Sequence, residues 1–229
     1  MALILYIESA TGICSVALAK NGLLIAEKKT SEPRSHAQVL TIFIEQLLSE
    51  SGYSFKQLDA ICLSKGPGSY TGLRIGAAVA KGLCYALEKP LIAINTLFAM
   101  VVNVIHDQSK QLINYQGYLF CPMIDARRME VYTAVYDQNL LEVSETKALI
   151  LTETSFMEYQ GKKLFFFGDG AAKIKSIINP SLTVEIIADF QNSAKGMITE
   201  GDRLFQLNQF ENIAYFEPYY LKEFIGKKL

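Results

Sequence analysis

Three stretches of this chain carry residue types that could do chemistry. In "IESATGICSVAL" a carboxylate, Glu8, ends an apolar run and is followed by Ser9, Thr11 and Gly12. Hydroxyls and open N–H groups in such a turn could hold phosphate, and the carboxylate could reach Mg²⁺ through water. A plain hairpin turn needs the same residue types, so the pattern alone carries both readings. The second stretch, "SKGPGSYTGLRIG" from Ser64 to Gly76, places glycines, a proline and hydroxyls ahead of a long apolar segment. A phosphate-binding P-loop would read G-x-x-x-x-G-K-[ST]. Here Lys65 precedes the glycines, no G-K-S or G-K-T follows, and Thr71 stands where a G-x-G-x-x-G pattern needs its third glycine. What remains is a glycine turn running into a helix N-terminus, a geometry that tolerates anions without specifying one. The third stretch is the "GDG" around Asp169, the best carboxylate for a catalytic base. An ATP-dependent small-molecule kinase would therefore draw on Glu8, Ser9, Thr11, Gly68 and Asp169.

Other clusters are thinner. "MIDARRMEVY" puts Asp125, Arg127, Arg128 and Glu130 around a strand-to-strand turn, where Asp–Arg pairing as a structural lock is expected. His36 and His106 are the two histidines and lie far apart, with no Asp, Glu or Cys at ligand spacing. A metal site, and with it a metallopeptidase, has little to build on, as does a Ser-His triad. Cys14, Cys62, Cys84 and Cys121 form no C-x-x-C pair and are read as small hydrophobes.

The elements that must position these residues follow from patterning. "ALILYIES" is an unbroken apolar run, a strand buried on both faces. "ICSVALAK" and "LLIAEKK" flank Asn21-Gly22, a dipeptide that suits a two-residue hairpin because both positions accept positive φ. A helix is predicted over Ser35–Glu50 with Ser35 as N-cap, then a strand over Leu58–Ser64 and a helix over Thr71–Leu87. A short strand, Leu91–Ile94, and a helix over Thr96–His106 complete a β-β-β-α-β-α-β-α order. The polar stretch "HDQSKQLINYQG" suggests a boundary, dividing the chain into lobes 1–106 and 107–229. In the second, smaller lobe, strands are expected in "YLFCPMIDARRMEVYTAVYD", "LEVSETKALI" and "KLFFF". Helices are expected near 153–160, 171–178 and 193–207, with the last helix and the tail able to pack back on the first lobe.

With 229 residues, half hydrophobic and a fifth charged, the chain can bury a large core. Its net charge of −1 argues against a chain that anchors nucleic acid by itself. The start has no basic n-region, and "PLIAINTLFAMVVNVI" falls short of the ~20 apolar residues of a spanning helix, so a soluble cytoplasmic protein without membrane contact is expected. Two helices carry more apolar surface than one sheet can cover. Val39, Leu40, Ile42, Phe43, Ile44, Leu47 and Leu48 sweep an arc of roughly 240°. Gly72, Gly76 and Ala80 form a smooth stripe at i, i+4, i+8. Close packing must offset the ~1 kcal/mol that each helical glycine costs. The expectation is an interface for a partner or a second copy, built from Val39, Leu40, Phe43, Leu47, Leu73, Gly76, Ala80 and Leu83.

Taken in order, "YIESATGICSVAL", "RSHAQVLTIFIEQLL", "SKGPGSYTGLRIGAAVAKGL", "PLIAINTL" and "IDARRMEVYTAVYD" resemble the TsaB (YeaZ) family, accessory proteins of bacterial tRNA threonylcarbamoyladenosine synthesis. The match covers nearly the first 137 residues and continues more loosely through "FFGDG" and "EPYYL". The resemblance implies an α/β fold of two lobes, of the actin/hsp70/sugar-kinase (ASKHA) class. It implies a non-catalytic relative of the transferase TsaD that pairs with TsaD, is joined by the ATPase TsaE, and self-associates when alone. It also implies no cofactor of the chain's own, any ATP or ADP and Mg²⁺ belonging to the interface of the complex, and tRNA reached only through that complex. Two departures stand out. Thr96 and Met100 occupy the positions where TsaD-type chains carry two metal-binding histidines four residues apart, and Glu8 replaces a usual Asp.

Overall fold

A computed structural model describes residues 2–30, 36–106, 116–187 and 190–222. The expected N-cap Ser35 and most of the polar boundary stretch lie outside the described residues. Strands β1 (Leu3–Glu8), β2 (Ser15–Lys20) and β3 (Leu23–Lys29) open the chain, followed by α1 (His36–Glu50), β4 (Ala60–Gly66), α2 (Tyr70–Leu87), β5 (Leu91–Asn95) and α3 (Thr96–Ile105). The second half contributes β6 (Tyr118–Asp125), β7 (Glu130–Tyr136), β8 (Glu142–Ile150), β9 (Lys163–Phe167), β10 (Thr183–Ile187) and α4 (Ile198–Gln206). Two five-stranded sheets result, ordered β3-β2-β1-β4-β5 and β10-β9-β6-β7-β8. In each, an antiparallel meander continues into parallel strands. The likeness of the two sheets is that of two related lobes.

β1 shows why its sequence reads as one apolar run. It lies between antiparallel β2 and parallel β4 and is buried along its whole length. Leu3, Leu5 and Ile7 point into a core with Leu40, Ile44, Leu47, Ala80 and Cys84 of α1 and α2. Ile4 and Tyr6 point the other way, onto Ala194, Met197 and Ile198 at the start of α4. Period-two alternation thus feeds two apolar layers instead of one apolar and one wet face. The predicted hairpin forms as expected, with Asn21 and Gly22 at φ 53° and 73°.

α3 joins the two halves. Ala99 packs on the first sheet, whereas Leu97, Met100, Val101 and Val104 pack with Phe120, Ile124, Phe165 and Phe167 of the second. Its N-cap, Asn95, accepts from the Leu97 and Phe98 N–H groups at 2.8 and 3.3 Å and donates to Thr146 of β8 at 2.9 Å. The tail runs back along the first sheet, where Glu211 bridges to Leu91 and the Tyr219 N–H donates to the Lys65 carbonyl at 2.6 Å.

Several expectations need correction. The segments near 153–160 and 171–178 form only 3₁₀ turns, Met157–Tyr159 and Ala171–Ser176, because eight residues give too few helical hydrogen bonds to offset the cost of nucleating an α-helix. The helix expected over 193–207 is a 3₁₀ turn, Ala194–Met197, that passes into α4. β10 was not anticipated; its isoleucines are only half-buried at a sheet edge. Among the described residues no helix is long and apolar enough to cross a membrane.

Candidate functional site

The turn between β1 and β2 meets the N-terminus of α2, so Glu8, Ser9, Thr11 and Gly68 do come together. They come together by packing. A Cβ on Gly68 would overlap the Ala10 carbonyl, one on Gly72 the Ser9 carbonyl, and one on Gly76 the Ser9 hydroxyl. The Ser69 N–H donates to the Ala10 carbonyl at 2.7 Å, and the Ser69 side chain caps α2 by accepting from Gly72 N–H at 3.3 Å. Two of the N–H groups at the start of α2, those of Ser69 and Gly72, are therefore engaged by the protein itself.

Glu8 is fully buried, and its Oε1 accepts the Ala10 N–H at 2.6 Å. Burial pushes its carboxyl up to about 7, tempered by that N–H and by the nearby Ser64 and Asn192 side chains. Across the interlobe cleft, Asp169 Oδ1 accepts the Asp125 N–H at 2.9 Å. Desolvation holds the Asp169 carboxyl above the usual range, with Asp125 adding to the effect. Between the lobes lies a cavity of ≈120 Å³, lined by Thr11, Gly12, Ile13, Met100, Gly168, Asp169, Phe190 and Asn192. A small-molecule site needs about 300 Å³ or more. Of the five nucleotide candidates only Thr11 and Asp169 line this cavity; Glu8, Ser9 and Gly68 do not. Glu8, enclosed and held towards its protonated form, is not open to a metal ion. A second cavity of ≈380 Å³ lies on the other side of the turn, lined by Thr11, Gly12, Ser69, Thr71 and Gly72 among others. Sequence reasoning missed Asn192 as a cleft residue, since it belongs to no motif that marks it, and singled out Met100 only as a replaced ligand position.

Thr96 and Met100, singled out by the resemblance as replaced ligand positions, serve as structural groups. Thr96 Oγ1 accepts the Gly66 N–H at 3.1 Å. The Met100 methyl packs where a Cβ of Gly168 would stand, so it fills the cleft wall. Among the described residues no group of His, Cys, Asp or Glu is placed to hold a metal.

The expected Asp–Arg lock at the β6–β7 turn is a different one. Lys173 pairs with Asp125 at 2.6 Å, and Lys222 pairs with Glu130. Both lysines come from elements distant in sequence, which spacing within the turn could not reveal.

The interface expectation also needs correction. Leu40, Leu47, Leu73, Gly76 and Ala80 are buried in the lobe's own core. The stripe Gly72–Gly76–Ala80 is smooth because β1 and its turn press against it. Val39, Phe43 and Leu83 remain half-buried at the edge of that core. A second small-residue row, Ala78, Gly82 and Ala86, lies on the opposite, exposed side of α2 with the same four-residue spacing. A Cβ on Gly82 would meet nothing within 4 Å. Beside this row stand Tyr85, 83% exposed, and the half-buried Ile75; on α1, Ile42 is 49% exposed. Arg74 is the one charge among the exposed α2 positions.

Two mixed sheets of like order around a shared helix define a two-lobed protein of the actin/hsp70/sugar-kinase class. The family profile for TsaD, tRNA N6-adenosine threonylcarbamoyltransferase, matches residues 24–217. The tRNA threonylcarbamoyladenosine biosynthesis protein TsaB of Bacillus subtilis is 30% identical over 183 residues, 78% of this chain and 76% of that protein. The Escherichia coli protein of the same name is 35% identical over 153 residues, 66% of this chain and 63% of its own length. The structure of YeaZ from Pseudomonas aeruginosa superposes with a TM-score of 0.82 at 24% identity, covering 96% of this chain and all of that one. The chain belongs to the TsaB family, within the wider TsaD-like group.

Proposed function

We propose that this chain is a non-catalytic subunit of bacterial tRNA N6-threonylcarbamoyladenosine synthesis, acting in the cytoplasm. It binds and activates the catalytic TsaD subunit and helps recruit the ATPase TsaE, and tRNA reaches it as part of that complex. The observation that carries the reading is the α1/α2 face. Ala78, Gly82 and Ala86 let another helix approach closely, and Val39, Ile42, Phe43, Leu83 and Tyr85 supply apolar contact around them. An exposed helix face with a single charge suits burial by a partner better than lasting contact with water. A sealed Glu8 and an undersized cleft support the non-catalytic assignment. Any nucleotide and Mg²⁺ then belong to the interface of the assembled complex. The same face serves a homodimer when TsaD is absent, so the two assemblies exclude each other.

The test is co-purification with the TsaD subunit of the same organism. Gly82→Arg places a long cation on the face without entering the core. It should abolish the heterodimer without lowering the Tm. Normal co-purification of this variant would overturn the docking face.

A further inference from the structure

The β6–β7 turn holds two cations that the docking role leaves unused. Arg127 and Arg128 are both exposed, and neither has an ion-pair partner among the described residues. The carboxylates beside them are already taken. Lys173 binds Asp125 at 2.6 Å and the Glu130 carbonyl at 2.9 Å, and Lys222 binds the Glu130 carboxylate. The two arginines occupy consecutive left-handed positions, φ 71° and 49°, where Asn or Gly is the usual residue. The turn is braced on every side. Arg127 N–H donates to Asp125 Oδ1 at 2.6 Å, the Asp125 N–H to Asp169 Oδ1 at 2.9 Å, and the Leu151 N–H to the Met129 carbonyl at 2.7 Å. Two guanidinium groups therefore stand on a hydrogen-bonded turn whose neighbouring carboxylates are neutralised by Lys173 and Lys222, in a chain whose net charge is −1.

A guanidinium fork matches phosphate oxygens. Neither arginine lines the interlobe cavity, so a free nucleotide would find no enclosure from it. A protein partner would need apolar anchors at the centre of its contact, and here the exposed apolar side chains, Met129 and Ile150 opposite Glu130, stand to the side of the two arginines among charged groups. Phosphodiesters of a folded RNA ask only for protruding, fixed cations. We propose that Arg127 and Arg128 contact the phosphate backbone of tRNA when the chain is assembled with its catalytic partner. This rests on the subunit role proposed above and adds a direct RNA contact to it.

The experiment uses the complex of the full chain with TsaD and a fluorescent tRNA that reads ANN codons, titrated at several salt concentrations between about 50 and 200 mM. The double variant R127A/R128A should bind tRNA about tenfold more weakly at low salt, with the slope of log K against log salt reduced by about 2. R127K/R128K should retain most of the slope, which separates charge from any disturbance of the turn. Complex assembly and Tm are measured in parallel for each variant. Unchanged tRNA affinity and slope in R127A/R128A would overturn the contact. Lost assembly with unaltered tRNA affinity per assembled complex would overturn it too, marking a protein interface. So would a loss confined to ATP binding. Failure of the wild-type chain to assemble with TsaD would strike the subunit role itself, and the RNA contact with it.

Discussion

Glu8 shows how burial changes what a residue can do. As a carboxylate in a loop it would be a metal or phosphate handle; enclosed by β1 and its turn, it favours its protonated form. Its folded-state pKa is raised from 4.5 to about 7, so the folded chain holds this proton more tightly than the unfolded chain does. The contribution of Glu8 to stability is therefore best below pH 4.5, declines as pH rises towards about 7, and is level above that, a span of roughly 3 kcal/mol. Glu8→Gln should remove that decline and raise the Tm at pH 8, as read from melts of both proteins across pH. A variant with the wild-type pH profile would show that Glu8 is not the group responsible. The cysteines make a parallel case. All four are buried and free, and burial pushes Cys14 and Cys84 up to about 12. Native protein should leave them unreacted towards a thiol reagent at pH 8, and denatured protein should titrate all of them. The presence of Glu8, Ser9 and Thr11 at a strand end was legible from the sequence. Their inaccessibility was not, because Ser9 and Ala10 are covered by glycines of a helix more than 50 residues away.

At the scale of the element, α2 carries two small-residue rows that the sequence presents as equivalents. Gly72, Gly76 and Ala80 repeat every four residues, and so do Ala78, Gly82 and Ala86. The first row meets β1 and its turn, and the second meets open space. Paired substitutions should separate them. Gly82→Ala gains helix propensity with no clash and should stabilise the chain by up to about 1 kcal/mol. Gly72→Ala gains the same propensity, but its methyl group overlaps a backbone carbonyl that cannot step aside. It should be destabilised by about 1–3 kcal/mol, which thermal melts will register as a lower Tm. Equal effects of the two substitutions would contradict the assignment of faces. The helix itself, with its apolar excess, was readable from spacing, whereas its Ser69 cap was not singled out. Which side its own sheet takes depends on how the strand before it is oriented in the fold.

At the scale of the molecule, α3 decides how independent the two halves are. Leu97, Met100, Val101 and Val104 are buried against the second sheet while Ala99 is buried against the first. α4, from the end of the chain, closes the other face of β1. The fragment 1–106 would expose one side of α3 and one face of its sheet. It should bind a hydrophobic dye and lack a cooperative melt, whereas the full chain should unfold in one transition. A cooperative melt of the isolated fragment would show that the halves are independent. By itself the sequence determined the strands and helices of the first half, the hairpin at Asn21-Gly22, the lack of a P-loop motif, and the family. These are local or pattern properties, set by apolar period, turn chemistry and motif spacing. Only the tertiary structure decided that the glycine-rich turn packs against Ser9 and Ala10, that Met100 fills the cleft, that lysines take Asp125 and Glu130 and leave Arg127 and Arg128 without an ion pair among the described residues, and that the open face of α2 is the Ala78–Gly82–Ala86 row. Each of these depends on contacts between segments far apart in the chain, and periodicity carries no information about which distant segment arrives.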